Sequence, residues 1–225
     1  MLCVDGTFLT GKYKGQILTC IGVDGNNQVV PLAFAFVESE NTESWLWFLT
    51  WVKRALVREG QNVCVLHDRH AGLLSAIKKL QTDVSQQYPW PDLHSRWCMR
   101  HMGANFYRQF KSKRLMNLFK KLCKQNQKKK FDALWEQLDN LTGAHMKEVL
   151  KTPVAPRKEE PKGLDELPDE PEFVKRSRKG GRAVKCFSDW IGAEPLDKWS
   201  LLHDRDGSRY GIMTTNLAEV YNWVL

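Results

Sequence analysis

The chain has 225 residues, 42% of them apolar, and a formal net charge of +8. That size can bury a core and predicts one large domain, or one domain with an insertion. No run of about 18 apolar residues is present, which excludes a membrane-spanning helix, and we expect no secretory signal. The basic total favours a polyanionic partner, although a solvated basic surface would give the same count.

Six cysteines are spread along the chain without the spacing of a disulfide framework. We therefore expect free thiols and a reducing compartment, the cytosol or the nucleus.

The first predicted elements are three antiparallel strands at residues 2–8, 16–23 and 29–37, with an Asp-Gly-Asn-Asn turn between the last two. A helix follows from residues 41–44 to Leu56, because Trp45, Phe48 and Val52 recur at helical spacing. A fourth strand at 62–68, a helix over 73–80, a short strand at 93–97 and a helix up to Phe110 come next.

A strand that is entered after a helix should lie parallel to a strand already in the sheet. Three antiparallel strands, a helix, a parallel strand beside the first and another helix is the ribonuclease-H-like order. We therefore predict an α/β fold with a ribonuclease-H-like mixed sheet and an all-helical insertion.

The boundaries that follow are 1–110 for the first part of the core and 111–152 for the helical insertion. Residues 153–186 hold five of the nine prolines and blocks of each charge, which predicts a disordered insertion. Its basic block is either a nuclear-import patch or a solvated linker. Residues 187–225 would end the insertion and return to a core helix that continues beyond Leu225.

Two predicted strands each deliver an aspartate, Asp5 and Asp68, to one end of the sheet. A carboxylate within β-forming residues is costly to desolvate unless it is paired, hydrogen-bonded or bound to a cation. Asp5 alone could be an Asp-Gly turn, but the pair suggests a Mg²⁺ or Mn²⁺ site. Glu219 is the natural third carboxylate, with the alternative that it caps its helix on Asn216.

Cys98 and His101 offer two zinc-type ligands where a structural zinc needs four, so a packed cysteine with a hydrogen-bonded histidine is favoured. His67 and His70 flank Asp68 and could orient it, carry protons, or simply cap the following helix.

Residues 93–131 contain twelve Lys or Arg and no Asp or Glu, so the rest of the chain is net acidic. Solvated helix faces usually mix charge signs, and the absence of acids therefore favours a surface that binds DNA phosphates. The candidates face away from the apolar stripe of one helix: Lys113, Arg114, Lys120, Lys121 and Lys124.

Seven short segments together resemble plant Mutator-like element (MULE) transposases: 5–8 (DGTF), 25–28 (GNNQ), 31–35 (PLAFA), 68–70 (DRH), 97–101 (WCMRH), 105–106 (NF) and 213–216 (MTTN). The resemblance implies a DDE catalytic core that cuts and joins transposon DNA ends with Mg²⁺ in the nucleus. Asp5, Asp68 and Glu219 match its acidic residues, and Cys98 and His101 match its Cys-x-x-His element, with a structural or DNA-proximal role.

Two functions remain open beside the transposase. One is a domesticated, catalytically silent descendant that regulates transcription, and the other is a nuclease of the same fold. The resemblance also leaves a homo-oligomer open, and it leads us to expect zinc domains that this sequence lacks on either side of the core.

Overall fold

The computed structural model describes residues 1–151 except 10, 11, 13, 25, 27, 58–61, 84 and 86, residues 184–215 except 193, 205 and 206, and residue 218. The predicted disordered insertion falls almost entirely outside these residues, as does Glu219. None of the helices in the described ranges is long and apolar enough to cross a membrane.

The sheet contains five strands in the order β3-β2-β1-β4-β5, with these bounds: β1 Leu2–Phe8, β2 Gln16–Val23, β3 Val29–Val37, β4 Val63–His67 and β5 Leu93–Trp97. β2 pairs antiparallel with β1 and with β3, whereas β4 pairs parallel with β1 and with β5. The predicted mixed sheet is therefore confirmed. β4 ends one residue earlier than predicted, so Asp68 follows the strand.

The helices of the described residues are α1 Thr42–Leu56, α2 Ala71–Thr82, α3 Met99–Phe110, α4 Lys113–Cys123, α5 Lys128–Lys151, α6 Phe187–Ile191 and α7 Leu196–Trp199. α1 begins where the sequence predicts, because the Asn41 side chain accepts a hydrogen bond of 2.9 Å from the Ser44 amide. α3, α4 and α5 form the predicted helical region after β5.

Two main hydrophobic cores hold these elements together. The first lies between the sheet and α1 and α2 and is largely aliphatic, although it includes Trp45 and Trp90. The second is formed by helices α3 through α7 and is rich in aromatic rings. Phe106 and Phe119, for example, stack with their ring centroids 5.0 Å apart. All six cysteines are free, as expected.

A third, small cluster lies on the sheet face away from the first core. Cys3, Ile21 and Leu66 pack there against Ala218, which comes from the last part of the chain. This contact places Ala218 beside β1 and β4, the two strands that lead to the predicted aspartates.

Candidate functional site

Asp5 and Asp68 lie at the same end of the sheet. In the parallel pairing of β1 with β4, Cys3 lies opposite Leu66, and each aspartate comes two residues later. Parallel strands end at the same sheet edge, so the pairing brings together two residues that are 63 positions apart in sequence. The structure thus joins the two aspartates that the sequence singled out.

The charge at this edge is acidic. Burial is the main cause that raises the pKa of Asp5 from 3.8 to about 7; His101 opposes the shift, and the nearby carboxylates of Asp68 and Glu40 add to it. Carboxylates that come close to one another in a partly dry site cannot all ionise without cost. A cation at this edge would relieve that cost.

His101 and Cys98 form a pair directly beside the two aspartates. Burial would raise the pKa of the Cys98 thiol, but hydrogen bonds with His101 and Thr215 lower it to about 7. Burial would likewise lower the pKa of His101, yet Cys98, Asp5 and Asp68 raise it. The histidine thus adds positive charge where the carboxylates meet, and the cysteine is a buried hydrogen-bonding partner.

The segment 213–215 is tied to the start of α3. The Met99 amide donates to the Met213 carbonyl at 2.7 Å, and the Thr215 amide donates to Cys98 Sγ at 3.3 Å. Ala218 then packs against Cys3 and Leu66. The residue that follows Ala218 is Glu219, the predicted third carboxylate, whose own position lies outside the described residues.

The two histidines beside Asp68 have different surroundings. His67 is fully buried, and its Nδ1 donates to the Asp68 carbonyl while its Nε2 lies 2.8 Å from Ser95 Oγ. Burial lowers the pKa of His67 to about 4, so it stays neutral and holds the Asp68 backbone in place. His70 stands at the start of α2 without a capping bond from its side chain, and its backbone amide donates to Asp68 Oδ1 at 3.0 Å.

Sequence reasoning missed Glu40, which lies at the same edge. Its Oε1 accepts a hydrogen bond of 3.0 Å from Trp45 Nε1 and is 3.4 Å from His70 Nδ1. The strand directions alone do not predict this position, because β3 ends at Val37, level with Phe8 of β1. The chain has to turn back after β3 to bring Glu40 close to Gly6.

Arg69 was also missed. Its guanidinium lies 4.7 Å from the ring centroid of Trp97 and pairs with the Glu194 carboxylate. Glu194 belongs to the segment between α6 and α7. Its pairing with Arg69 therefore connects the loop after β4, which contains Asp68, with the helical region. No local sequence signal links residues that are 125 positions apart.

The predicted basic residues lie on or next to α4. Lys113, Arg114, Lys121 and Lys124 are exposed, whereas Lys120 is half-buried with its stem against α3. A Cβ placed on Gly103 would lie only 2.7 Å from Lys120 Cε, which shows how closely that stem passes. Arg96, from the same basic stretch of sequence, is instead buried and paired with Asp204 and Asp197.

Among the described residues, no group of three or more His, Cys, Asp or Glu side chains is placed to hold a metal ion. This applies to a zinc site built on Cys98 and His101. It also means that Asp5 and Asp68 would need a ligand from the remainder of the chain to complete a three-carboxylate site.

Comparison with known families gives a match over the part of the chain that contains the sheet. Residues 1–105 match the family model of the MULE transposase domain. Among curated proteins, no sequence matches the chain. The matched part includes Asp5, Glu40, Asp68, Cys98 and His101, and it stops before the segment 213–216, to which the sequence resemblance extended. The region from β1 to the middle of α3 is thus similar to the MULE transposase domain, which supports a Mutator-like transposase.

Proposed function

We propose that this chain is a ribonuclease-H-like DDE transposase core, which cuts DNA at transposon ends and joins the ends to target DNA. The observation that carries the proposal is the meeting of Asp5 and Asp68 at one end of a parallel strand pair, within the part of the chain that matches the MULE transposase domain. Mixed sheets of this strand order suit such a core.

The residues at this edge fit a hard divalent cation. Asp5 and Asp68 offer oxygen ligands, which Mg²⁺ and Mn²⁺ prefer, and the site lies at an open sheet edge where a metal can keep waters. Glu219 would be the third carboxylate, since it follows Ala218, which packs beside both strands. When bound, two such cations would supply Lewis-acid activation of the attacking and leaving oxygens.

The chain's other residues would serve binding and orientation. Cys98, Asp5 and Asp68 raise the pKa of His101 and so favour its positive form, and His67 holds the Asp68 backbone. Exposed cations on and next to α4 would contact DNA phosphates. Water would attack the phosphodiester at the transposon end, and the freed 3′ hydroxyl would then attack target DNA. This activity implies a nuclear location and a DNA partner.

The test is nicking of supercoiled plasmid DNA in the presence of Mn²⁺ or Mg²⁺. We expect Asp5→Asn, Asp68→Asn and Glu219→Gln each to reduce nicking by about 10³-fold or more, since each removes a metal ligand. Asp92→Asn is the matched control, because Asp92 is an exposed aspartate at the amino end of β5, the opposite edge of the parallel strands. Circular dichroism and thermal unfolding would show that the variants are folded.

The same assay separates the alternatives. Nicked products that are joined to a second DNA support a transposase, whereas products that are only hydrolysed support a nuclease. Normal nicking by Asp5→Asn or Asp68→Asn would contradict the proposed site. DNA binding by the wild-type chain without nicking under either metal would favour the catalytically silent regulator.

A further inference from the structure

Glu40 occupies the space between the two elements that carry the aspartates. It lies between β3 and α1, and its side chain is only 18% exposed. Its Oε1 accepts from the Trp45 indole at 3.0 Å and faces His70 Nδ1 at 3.4 Å. A partly buried glutamate with these two contacts has a defined position.

Two glycines make room for this position. A Cβ on Gly6, the residue after Asp5, would lie 2.9 Å from both Cδ and Oε2 of Glu40. A Cβ on Gly72, in the first turn of α2, would lie 2.8 Å from the Asn41 carbonyl carbon. Real Cβ atoms essentially never come this close to another heavy atom, so β1 and α2 both depend on glycine where segment 40–42 passes between them.

Glu40 also connects to Asp68 through His70. The Glu40 carboxylate faces the His70 ring, and the His70 backbone amide donates to Asp68 Oδ1 at 3.0 Å. Burial raises the pKa of Glu40, Asp68 raises it further, and His70 and the Trp45 hydrogen bond oppose this. The series Trp45, Glu40, His70 and Asp68 therefore leads from the first core to the sheet edge.

We propose that Glu40 is a positioning residue for the cation site of Asp5 and Asp68. It holds His70, and through the His70 amide it fixes the Asp68 carboxylate relative to β1. Its Oε1 already accepts a hydrogen bond from Trp45 and faces His70, which leaves this oxygen engaged with protein groups. Glu40 thus acts on the ligands and not as one of them. This inference rests on the proposed function, because it needs the two aspartates to bind a cation.

Mn²⁺ binding tests the inference without reference to activity. It is measured as the decrease in the electron paramagnetic resonance signal of free Mn²⁺. Partners that orient metal ligands typically contribute about 10- to 100-fold in metal affinity. We expect Glu40→Gln to weaken Mn²⁺ binding within that range and to raise the Mn²⁺ concentration needed for half-maximal nicking. At saturating Mn²⁺, nicking should recover substantially. Glu38→Gln is the matched control, an exposed glutamate two residues earlier that should bind Mn²⁺ like the wild type.

Gly6→Ala adds a second, independent test. The new methyl group should displace the flexible end of Glu40 and weaken Mn²⁺ binding, and in a chain that already carries Glu40→Gln it should have little further effect. Gly22→Ala controls for a methyl group on a strand glycine, because a Cβ there meets only the Leu32 side chain at 2.9 Å.

The outcomes separate this inference from the proposed function. Mn²⁺ binding that depends on Asp5 and Asp68 but is unchanged in Glu40→Gln would overturn the role of Glu40 alone. A wild-type chain that shows no Mn²⁺ binding dependent on the two aspartates would overturn both proposals. Fully additive losses in Gly6→Ala and Glu40→Gln would show that Gly6 acts through β1 and not through Glu40, against the inference.

Discussion

Two groups of charged side chains lie at different places along the sheet, and they differ in the ratio of acidic to basic residues. At the carboxyl end of β1 and β4, three acids (Asp5, Glu40 and Asp68) face His70 and His101. Beside β5, the buried Asp204 faces two buried arginines, Arg96 at 3.1 Å and Arg209 at 3.5 Å, and the more exposed Asp197 also pairs with Arg96. The first group has an excess of acid, and the second is fully supplied with counter-charges.

The difference indicates what each group does. In the second group, Asp204 also accepts hydrogen bonds from the Ser208 hydroxyl and the Arg209 amide, both at 3.0 Å, and Arg96 and Arg209 are almost fully buried. Such a network joins β5 to the segment after α7 through contacts between opposite charges. The acid-rich edge is costly as it stands, and a divalent cation is the partner that would balance it.

The largest expected effect comes from breaking the balanced group. Asp204→Asn would leave Arg209 and Arg96 buried without their shared counter-charge, and breaking a buried pair in this way costs about 3–5 kcal/mol. We expect a loss of unfolding free energy of that size, measured by urea or thermal unfolding.

Asp197→Asn is the control for that change. Asp197 also contacts Arg96, at 3.2 Å, but its side chain is 36% exposed, so its removal should cost less than about 1 kcal/mol. Equal losses in the two variants would mean that Asp204 is no more important than an ordinary surface partner, and the contrast between the two charge groups would fail.

Whether a structural feature could be predicted from the sequence depends on how far apart along the chain the contacting residues lie. Strand and helix positions followed from local patterns, and β2, β3 and β5 have the predicted bounds. Asp5 and Asp68 were also predictable, since each follows an apolar run and the parallel directions of β1 and β4 bring the two residues together. Glu40 could not be placed in this way, because β3 ends level with Phe8 and the chain turns back toward Gly6 only after the strand.

The rest was beyond a single sequence for a physical reason. Arg96 reads as part of a basic stretch, yet its partners Asp197 and Asp204 lie more than 100 positions away. The contacts of Arg69 with Glu194 and of Thr215 with Cys98 are equally remote in sequence. Burial and pairing of this kind depend on how the helical region folds back onto β5, which no local pattern encodes.

At the acid-rich edge we expect a smaller change in stability, in the opposite direction: replacing Asp5 should stabilise the folded chain. The pKa of Asp5 is raised from 3.8 to about 7, so between about pH 4 and pH 7 the folded chain binds more protons than the unfolded chain. Stability contributed by Asp5 therefore falls as the pH rises through this window. Asp5→Asn should remove this fall, and without divalent cations it should be more stable than wild type at pH 8 by about 1 kcal/mol or more.

Thermal unfolding at pH 4 and pH 8 measures this change. The two proteins should differ least at pH 4, where Asp5 is protonated in the folded state and about half protonated in the unfolded state. Added Mg²⁺ at pH 8 should narrow the difference by stabilising the folded wild type. An Asp5→Asn chain that is less stable than wild type at pH 8 would show that Asp5 is already well paired, as Asp204 is.

The smallest effect concerns DNA binding at the surface. We expect the helical region to contact DNA phosphates and the sheet region not to contact them. Lys121 and Lys124 are exposed and lie at the end of α4, whereas Lys120 is partly engaged against α3 and would confuse the result. If both exposed lysines contact phosphates, changing them together to Gln should make the slope of log K against log salt shallower by about 2, because each contact contributes about 0.9. The measurement is binding of a random-sequence DNA duplex over a series of salt concentrations.

Lys78→Gln with Lys79→Gln, an exposed pair on α2 beside the first core, is the matched control and should leave the slope unchanged. If the α2 pair reduced the slope as much as the α4 pair, the DNA-binding surface would include the sheet region, and the assignment of phosphate contacts to α4 alone would be wrong.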